Sequence, residues 1–384
     1  MSSEPETNSV TILDNGTDTI KIGPAEEELP VCVIPNKIMY PNPNVWSVPA
    51  GRKEYYAGDL ASCDRGYSKI SYPICNGEVI DWDQMEHVWT YAIYNELRQD
   101  PTERPVLLSE PSLNSMAARE KASQIMFESL GVPSLALKSQ SVLGLYSSGR
   151  TTGCVVDSGE DLTWAIAVFE GHQVPHAVDK IPLAGKALSE YFSTLLAQEQ
   201  DFHITHHVRT QYQKAVLSQI KHEGCYVAQD YQAELEKASQ GQQMHTQYYL
   251  PDGGAVLEYT VPRFKCPELM FTPALGGREH LSLQELVCSV VLGCDLDLRK
   301  HLFANVVLSG ANTMFTGLME RLFNELRQTA PKHMKIKLVG SRNRKFAAWT
   351  GGSILTRLSC FEGMCITKEE YKENGETIIR RKCY

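Results

Sequence analysis

The sequence predicts an α/β protein made of two similar halves that face each other across a cleft. The β-branched run Val10-Thr11-Ile12-Leu13 stops at Asp14-Asn15-Gly16, and the same order returns at Cys154-Val155-Val156 followed by Asp157-Ser158-Gly159. Each is the mark of a strand entering a tight turn, and its recurrence suggests a duplicated unit. Between and after these units, strand-like runs alternate with segments of helical period, which implies a mostly parallel sheet covered by helices. With 384 residues, 42% of them hydrophobic and 22% charged, the chain can bury two or three domain-sized cores.

The first strand and turn are followed by a proline-rich stretch, Tyr40 to Gly51, in which Pro41, Pro43, Pro49 and Trp46 read as an irregular excursion. Helical spacing then sets in from Trp82 to Leu97, with Met85, Trp89 and Ile93 on one face, and again from Ala117 to Leu130 behind a Ser115 cap. Pro105-Val106-Leu107-Leu108 between them reads as a strand. From Tyr191 to Gln247 the composition shifts to Gln, Glu, Lys and His with helical spacing, a separate helical subdomain ending in the polar connector Gln240 to Gln247. A strand returns at Asn305 to Leu308, ends at Ser309-Gly310-Ala311 and opens a helix from Thr313 to Thr329. Lys335 to Val339 is a further strand, and Gly351-Gly352 opens a helix within Trp349 to Leu358.

Composition narrows the function. No apolar run reaches the roughly 18 to 20 residues that span a bilayer, and Met1 to Ser9 is polar and acidic, so neither a membrane span nor a secretory signal is expected. The net charge of -9, from 46 acids against 37 bases, disfavours direct nucleic-acid binding. Eleven cysteines without a C-x-x-C pair point to a reducing compartment, cytosol or nucleus.

Three glycine turns that each follow a strand, at Gly16, Gly159 and Gly310, can aim backbone N–H groups at one anionic ligand in the cleft. Asp14 and Asp157, ending equivalent strands, can hold a hydrated divalent ion between them, and Lys21 can reach a phosphate as a point charge. The plainer alternative is that these are turns whose aspartates satisfy local backbone.

Collinear segments along the chain sharpen this. They include Ile12-Leu13-Asp14-Asn15-Gly16, Asp81-Trp82-Asp83-Gln84-Met85-Glu86, Tyr94-Asn95-Glu96-Leu97-Arg98, Gly149-Arg150-Thr151-Thr152-Gly153, Leu250-Pro251-Asp252-Gly253, Gly351-Gly352-Ser353-Ile354-Leu355 and the terminal Arg381-Lys382-Cys383-Tyr384. Through them the sequence resembles actin and the actin-related proteins over essentially its whole length. The resemblance implies an actin-like fold, two duplicated α/β halves in four subdomains around a central nucleotide cleft, with ATP and Mg or Ca as cofactors. It places subdomain 1 at 1-36, 73-147 and 347-384, subdomain 2 at 37-72, subdomain 3 at 148-188 and 271-346, and subdomain 4 at 189-270.

Carried over by position, the resemblance implies that Asp14, Asn15, Gly16, Thr17 and Lys21 form the first phosphate loop and Asp157, Ser158 and Gly159 the second. Gln140 would sit near the attacking water, Lys221 and Lys345 would flank the adenosine beside Gly310, and Asp14 and Asp157 would hold the metal through water. Departures crowd the same pocket. Asp18 and Asp161 stand where the family has glycines, and a carboxylate about 5 Å from a phosphate charge costs about 3 kcal/mol at an effective dielectric near 20, roughly a hundredfold in affinity. Ala311, Asn312, Phe315 and His222 replace residues around the nucleoside. Trp164 replaces a histidine near the terminal phosphate, and an indole donates one hydrogen bond but cannot relay a proton at neutral pH.

Filament surfaces depart as well: the loop over Tyr40 to Arg52 carries prolines and Trp46, Ala274-Leu275-Gly276-Gly277-Arg278 has lost large apolar residues, and Asn76 stands where the family carries a methylated histidine. The expectation is a divergent actin-related protein acting as a structural subunit of a cytoskeletal or nuclear assembly, with little or no ATPase activity and with actin-family or cytoskeletal proteins as partners. The alternative is an ATP-binding, slowly hydrolysing divergent actin that polymerises. The cluster His203, His206 and His207 reads as solvated surface, as does the run Arg342 and Arg344.

Overall fold

The computed structural model describes residues 9–41, 54–63, 69–199, 211–242, 246–249 and 256–383. Most of the proline-rich loop, the three-histidine cluster and the Leu250 to Gly253 segment lie outside these residues.

The first half is built on a six-stranded sheet. Its strands are β1 (Thr11–Asn15), β2 (Thr19–Pro24), β3 (Cys32–Pro35), β9 (Val106–Glu110), β10 (Ser134–Ser139) and β18 (Ile366–Thr367), in the order β18-β10-β9-β1-β2-β3. Smaller strands lie between them in the chain: β4 (Ile38–Tyr40), β5 (Tyr56–Ala57) and β6 (Lys69–Ser71) form a three-stranded sheet, and β7 (Ile74–Cys75) pairs with β8 (Glu78–Val79). The second half has β11 (Gly153–Ser158), β12 (Thr163–Phe169), β13 (His172–Ile181), β16 (Val306–Ser309) and β17 (Leu338–Val339), in the order β13-β12-β11-β16-β17. The remaining pair is β14 (Thr246–Tyr249) with β15 (Val256–Tyr259).

The two large sheets repeat one plan. In each, the strand carrying the aspartate turns back as an antiparallel hairpin, β1 to β2 and β11 to β12, and takes a parallel neighbour on its other side, β9 or β16. Both sheets are therefore mixed, which corrects the expectation of a mostly parallel sheet. The Asp-x-Gly turn is too short for the crossover that a parallel pair requires, so every such turn forces an antiparallel step.

All five residues of β1 are buried, as a strand covered on both faces must be. One apolar core runs from Leu13 through Trp89, Met126 and Leu135 to Ile379, and another from Cys154 through Phe192, Cys266 and Leu286 to Leu326. A third cluster, around Trp349 with Ile12, Leu107 and Leu143, packs the Ala347–Thr356 helix on the first sheet.

Helix α1 (Trp82–Thr90) starts where the Asp81 carboxylate accepts from Gln84 N at 3.0 Å, and it runs on as a π-helical stretch, Tyr91–Glu96. Ser115 caps α2 (Met116–Gln124), which continues the same way through Ile125–Ser129. Helix α3 (Gln140–Tyr146) follows β10, and α4 (Gly185–Glu199) and α5 (Gln211–Gly224) cover the second half. Three expectations change. Gly351 and Gly352 lie inside a helix rather than opening one, and glycine is required at 351 because a Cβ there would stand 1.7 Å from Leu143 O of α3. The segment after Gly310 is a short turn, Ala311–Met314, broken from the Leu318–Thr329 helix by Gly317 at φ +84°. The strand after Lys335 shrinks to Leu338–Val339. No helix of the described residues is long and apolar enough to cross a membrane.

Candidate functional site

The three glycine turns meet in one cleft of about 460 Å³ between the halves. Asp14, Asn15, Gly16, Thr17, Lys21, Gln140, Asp157, Gly159, Gly310 and Lys345 all line it, together with Asp18, Glu160, Asp161, Trp164 and His222. Ser158 and Lys221 do not.

The first wall is a closed polar network. Asp14 is buried at the end of β1, and its Oδ1 accepts from Ser109 Oγ at 2.7 Å and from Gln140 Nε2 at 3.1 Å. Lys21 Nζ lies 3.5 Å from Asp14 Oδ2, brought there because β2 sets Lys21 opposite Asp14. Asn15 donates its backbone N–H to Ser109 Oγ at 2.9 Å and accepts from Trp89 Nε1 at 3.2 Å. Gln140, at the first position of α3, also reaches Asn15 O at 3.1 Å. Ser109 joins the whole network, and nothing in its local pattern on β9 sets it apart in the sequence.

The second wall has a different character. The Ser158 hydroxyl is fully buried, bonded to Thr163 Oγ1 at 2.7 Å and accepting from Asn312 Nδ2 at 3.2 Å. It therefore braces the turn rather than facing the cleft, and Asn312 also donates to Gly159 O. Gly310, at φ +88°, passes so close to the turn that a Cβ there would meet Ser158 O at 2.3 Å. Trp164 stands opposite Asp157 in β12 and carries Lys180 Nζ over its ring at 4.8 Å.

Lys221 lies behind the cleft lining. Its ammonium is buried and donates to Gly185 O and Ser189 Oγ, each at 2.9 Å, which fixes α5 to the start of α4. The next residue, His222, takes the cleft position, its ring stacked with Phe315 at 6.2 Å.

The carboxylates show the strain of crowding. Burial pushes Asp157 up, with Asp14 adding to it and Ser309 and Lys21 working against it. Burial, then Asp18, push Glu160 up to about 7, against the pull of Lys221. His222 keeps an exposed outer face, but desolvation of its ring, then the Lys221 and Lys345 ammonium groups, push it down to about 4. Glu160 is the acid that sequence reasoning passed over, although its place directly after Gly159 marks it as part of the turn. Asp161 behaves unexpectedly: its Oδ2 accepts from the backbone N–H of Asn76, in the other half, at 2.7 Å.

A phosphate-bearing ligand fits this cleft in shape. A Cβ at Gly159 would find no protein atom nearer than Leu162 O at 3.9 Å, so the turn leaves room for a ligand to approach the backbone. The amides of Thr17 and Asp18 in the first turn, and of Glu160 and Asp161 in the second, donate to no protein acceptor among the described residues, the arrangement that makes an anion nest. Charge opposes the fit. Glu110 pairs with Arg119, which leaves Asp14, Asp18, Asp157, Glu160 and Asp161 in the lining with the lining lysines Lys21 and Lys345, of which Lys21 is committed to Asp14; Lys221 and Lys186 act on Glu160 from outside the lining. A divalent ion carried by the phosphates would relieve this, with Asp14 and Asp157 as its outer partners. Among the described residues no three His, Cys, Asp or Glu side chains are grouped to hold a metal unaided.

Compared with known protein families, residues 5–384 match the family model described as Actin.

Proposed function

The chain belongs to the actin family, and from that premise we propose that it is a divergent member serving as a structural subunit of a cytoskeletal or nuclear assembly, with a nucleotide cleft that binds ATP weakly and hydrolyses it little or not at all. The observation that carries this reading is the charge of the cleft. Its two turns bring Asp18, Glu160 and Asp161 into the lining beside Asp14 and Asp157, with Glu160, pushed up to about 7, adding its full charge only above neutrality and Lys345 as the lining lysine not already paired to an aspartate of the site. A triphosphate brought among these groups meets repulsion of about 3 kcal/mol per unrelieved pair. The bound ion would supply charge neutralisation; this chain's own part is to orient it through Asp14, whose carboxylate Ser109 and Gln140 hold in place. Gln140 is occupied by that task and by Asn15 O, and Trp164 cannot take a proton from water. On this reading the molecule works through its surfaces, with actin-family or cytoskeletal proteins as partners in cytoplasm or nucleus.

A second reading, an ATP-binding and slowly hydrolysing actin that polymerises, draws support from the open approach at Gly159 and the unpartnered amides of both turns. Acid extraction of natively purified protein, with chromatography of the released nucleotide, separates the two. We expect clearly less than one nucleotide per chain. Near-stoichiometric ATP or ADP would overturn the weak-binding proposal in favour of the second reading.

A further inference from the structure

We propose that Asp161 is a latch that holds the two halves together across the cleft, by accepting the backbone N–H of Asn76. The inference stands apart from what the cleft binds.

The first half contributes a rigid tip. Strands β7 and β8 pair Ile74 with Val79 and Cys75 with Glu78, leaving Asn76-Gly77 as a two-residue loop with φ +52° and +78°. Both central residues are left-handed, as a type I′ hairpin turn requires, and Asn-Gly is the pair best suited to it. The hairpin's base is tied down where Ile80 N donates to Pro73 O at 2.8 Å, next to the Asp81 cap of α1. At such a tip the Asn76 N–H has no ladder partner, so it projects as a free donor.

The second half contributes an equally fixed turn. Gly159 N donates to Leu162 O at 3.1 Å, and the carbonyls of Gly159 and Glu160 accept from Gly185 N and Lys186 N at the start of α4, at 3.0 and 2.8 Å. The Asp161 carboxylate is the adaptable group between two rigid pieces. It reaches Asn76 N at 2.7 Å, the length of a charge-assisted bond. Beside it, a Cβ at Gly77 would lie 3.4 Å from Leu162 Cδ1, so the tip stands close to the turn with little room between them.

Because each turn is anchored in its own half, the bond forms only when the halves stand at this separation. Any opening of the cleft must break it. This chain thereby gains a closing contact that a glycine at the same position has no side chain to make.

The test is hydrogen exchange at the Asn76 amide in ligand-free protein, by NMR or by mass spectrometry of a peptide over the β7–β8 hairpin. Asp161→Ala removes the acceptor and should speed exchange there about tenfold. Asp161→Asn keeps an acceptor oxygen while discarding the charge, and should stay within about threefold of the native chain. Exchange in β9, deep in the first sheet, serves as the folding control, and Asp161→Asn carries the comparison by itself if the alanine variant fails that control, with native-like protection expected. The latch is overturned if Asp161→Ala leaves exchange unchanged, or if the Asp161→Asn chain exchanges as fast as one with the hairpin free.

Discussion

Lys21 and Trp164 occupy equivalent places in the two halves: each stands directly opposite the aspartate that ends the preceding strand, Lys21 across from Asp14 and Trp164 across from Asp157. The duplicated hairpin has thus been given a cation on one side and an indole on the other. Asp14 gains an ion pair at 3.5 Å in addition to the bonds from Ser109 and Gln140. Asp157 has Ser309 and the more distant Lys21 to set against its burial, and its carboxyl is pushed up. The same residue type at the same place in a repeated unit therefore meets an ion-pair partner in one half and an indole in the other.

That asymmetry is measurable. Asp14→Asn removes the charge that Lys21 faces and should destabilise the fold by about 1 to 3 kcal/mol. Asp157→Asn relieves a buried charge without an ion-pair partner opposite and should leave stability unchanged or raise it by about 1 kcal/mol. Urea midpoints near pH 8, without nucleotide or divalent ion, distinguish the two; equal losses in both variants would mean that the halves are electrostatically alike.

Some of this was legible along the chain and some was not, for reasons of range. The turns at Gly16 and Gly159 are local: a β-branched run followed by Asp-x-Gly needs only its neighbours, and both fell at the ends of β1 and β11. The bonds of Lys221 were not legible because its direction depends on which face of α5 meets Gly185 and Ser189 of α4. The Asp161 bond was not legible because its partner Asn76 lies 85 residues away, in another half. Gly351 read as a helix opening because glycine usually breaks helices, whereas here it admits the backbone of α3. Mixed rather than parallel sheets follow from the same short turns, once each is seen to fold back on its own strand.

Glu160 and His222 should give the protein opposing pH slopes. Glu160 titrates at about 7 in the fold against 4.5 as its ordinary value. Between those values the native chain holds the extra proton, so stability falls as pH rises, by up to about 3 kcal/mol in all. For His222 the fold value is about 4 against 6.5; there the unfolded chain binds more protons, and stability rises with pH over that window. Solvent at its exposed face weakens the histidine's share. The two contributions oppose each other in mildly acid solution, and Glu160 acts alone near neutrality. Relative to the native chain, Glu160→Gln should therefore remove a loss of stability that grows from about pH 5 to pH 7 and levels off above it. Denaturation midpoints across this range check it, and a variant running parallel to the native curve would show that Glu160 is ordinary.

Two glycines separate fold from site. At Gly351 an added methyl would fall 1.7 Å from the Leu143 carbonyl oxygen, a backbone atom that cannot move without parting α3 from the Ala347–Thr356 helix. Gly351→Ala should destabilise the protein by more than about 3 kcal/mol. At Gly159 the same methyl meets only Leu162 O at 3.9 Å, and the residue does not have the positive φ that would strain an alanine. Gly159→Ala should leave stability within about 1 kcal/mol of native, with a slight gain from the stiffer unfolded chain. Its methyl would stand in the cleft, between the turns whose amides lack protein acceptors. Whatever affinity the native chain has for added ATP with a divalent ion should drop at least about tenfold in this variant, since a phosphate could no longer reach that backbone. Thermal melting and a nucleotide titration on the same preparation settle both halves of the prediction, and a Gly159→Ala protein that melts early would place this turn in the fold rather than in the site.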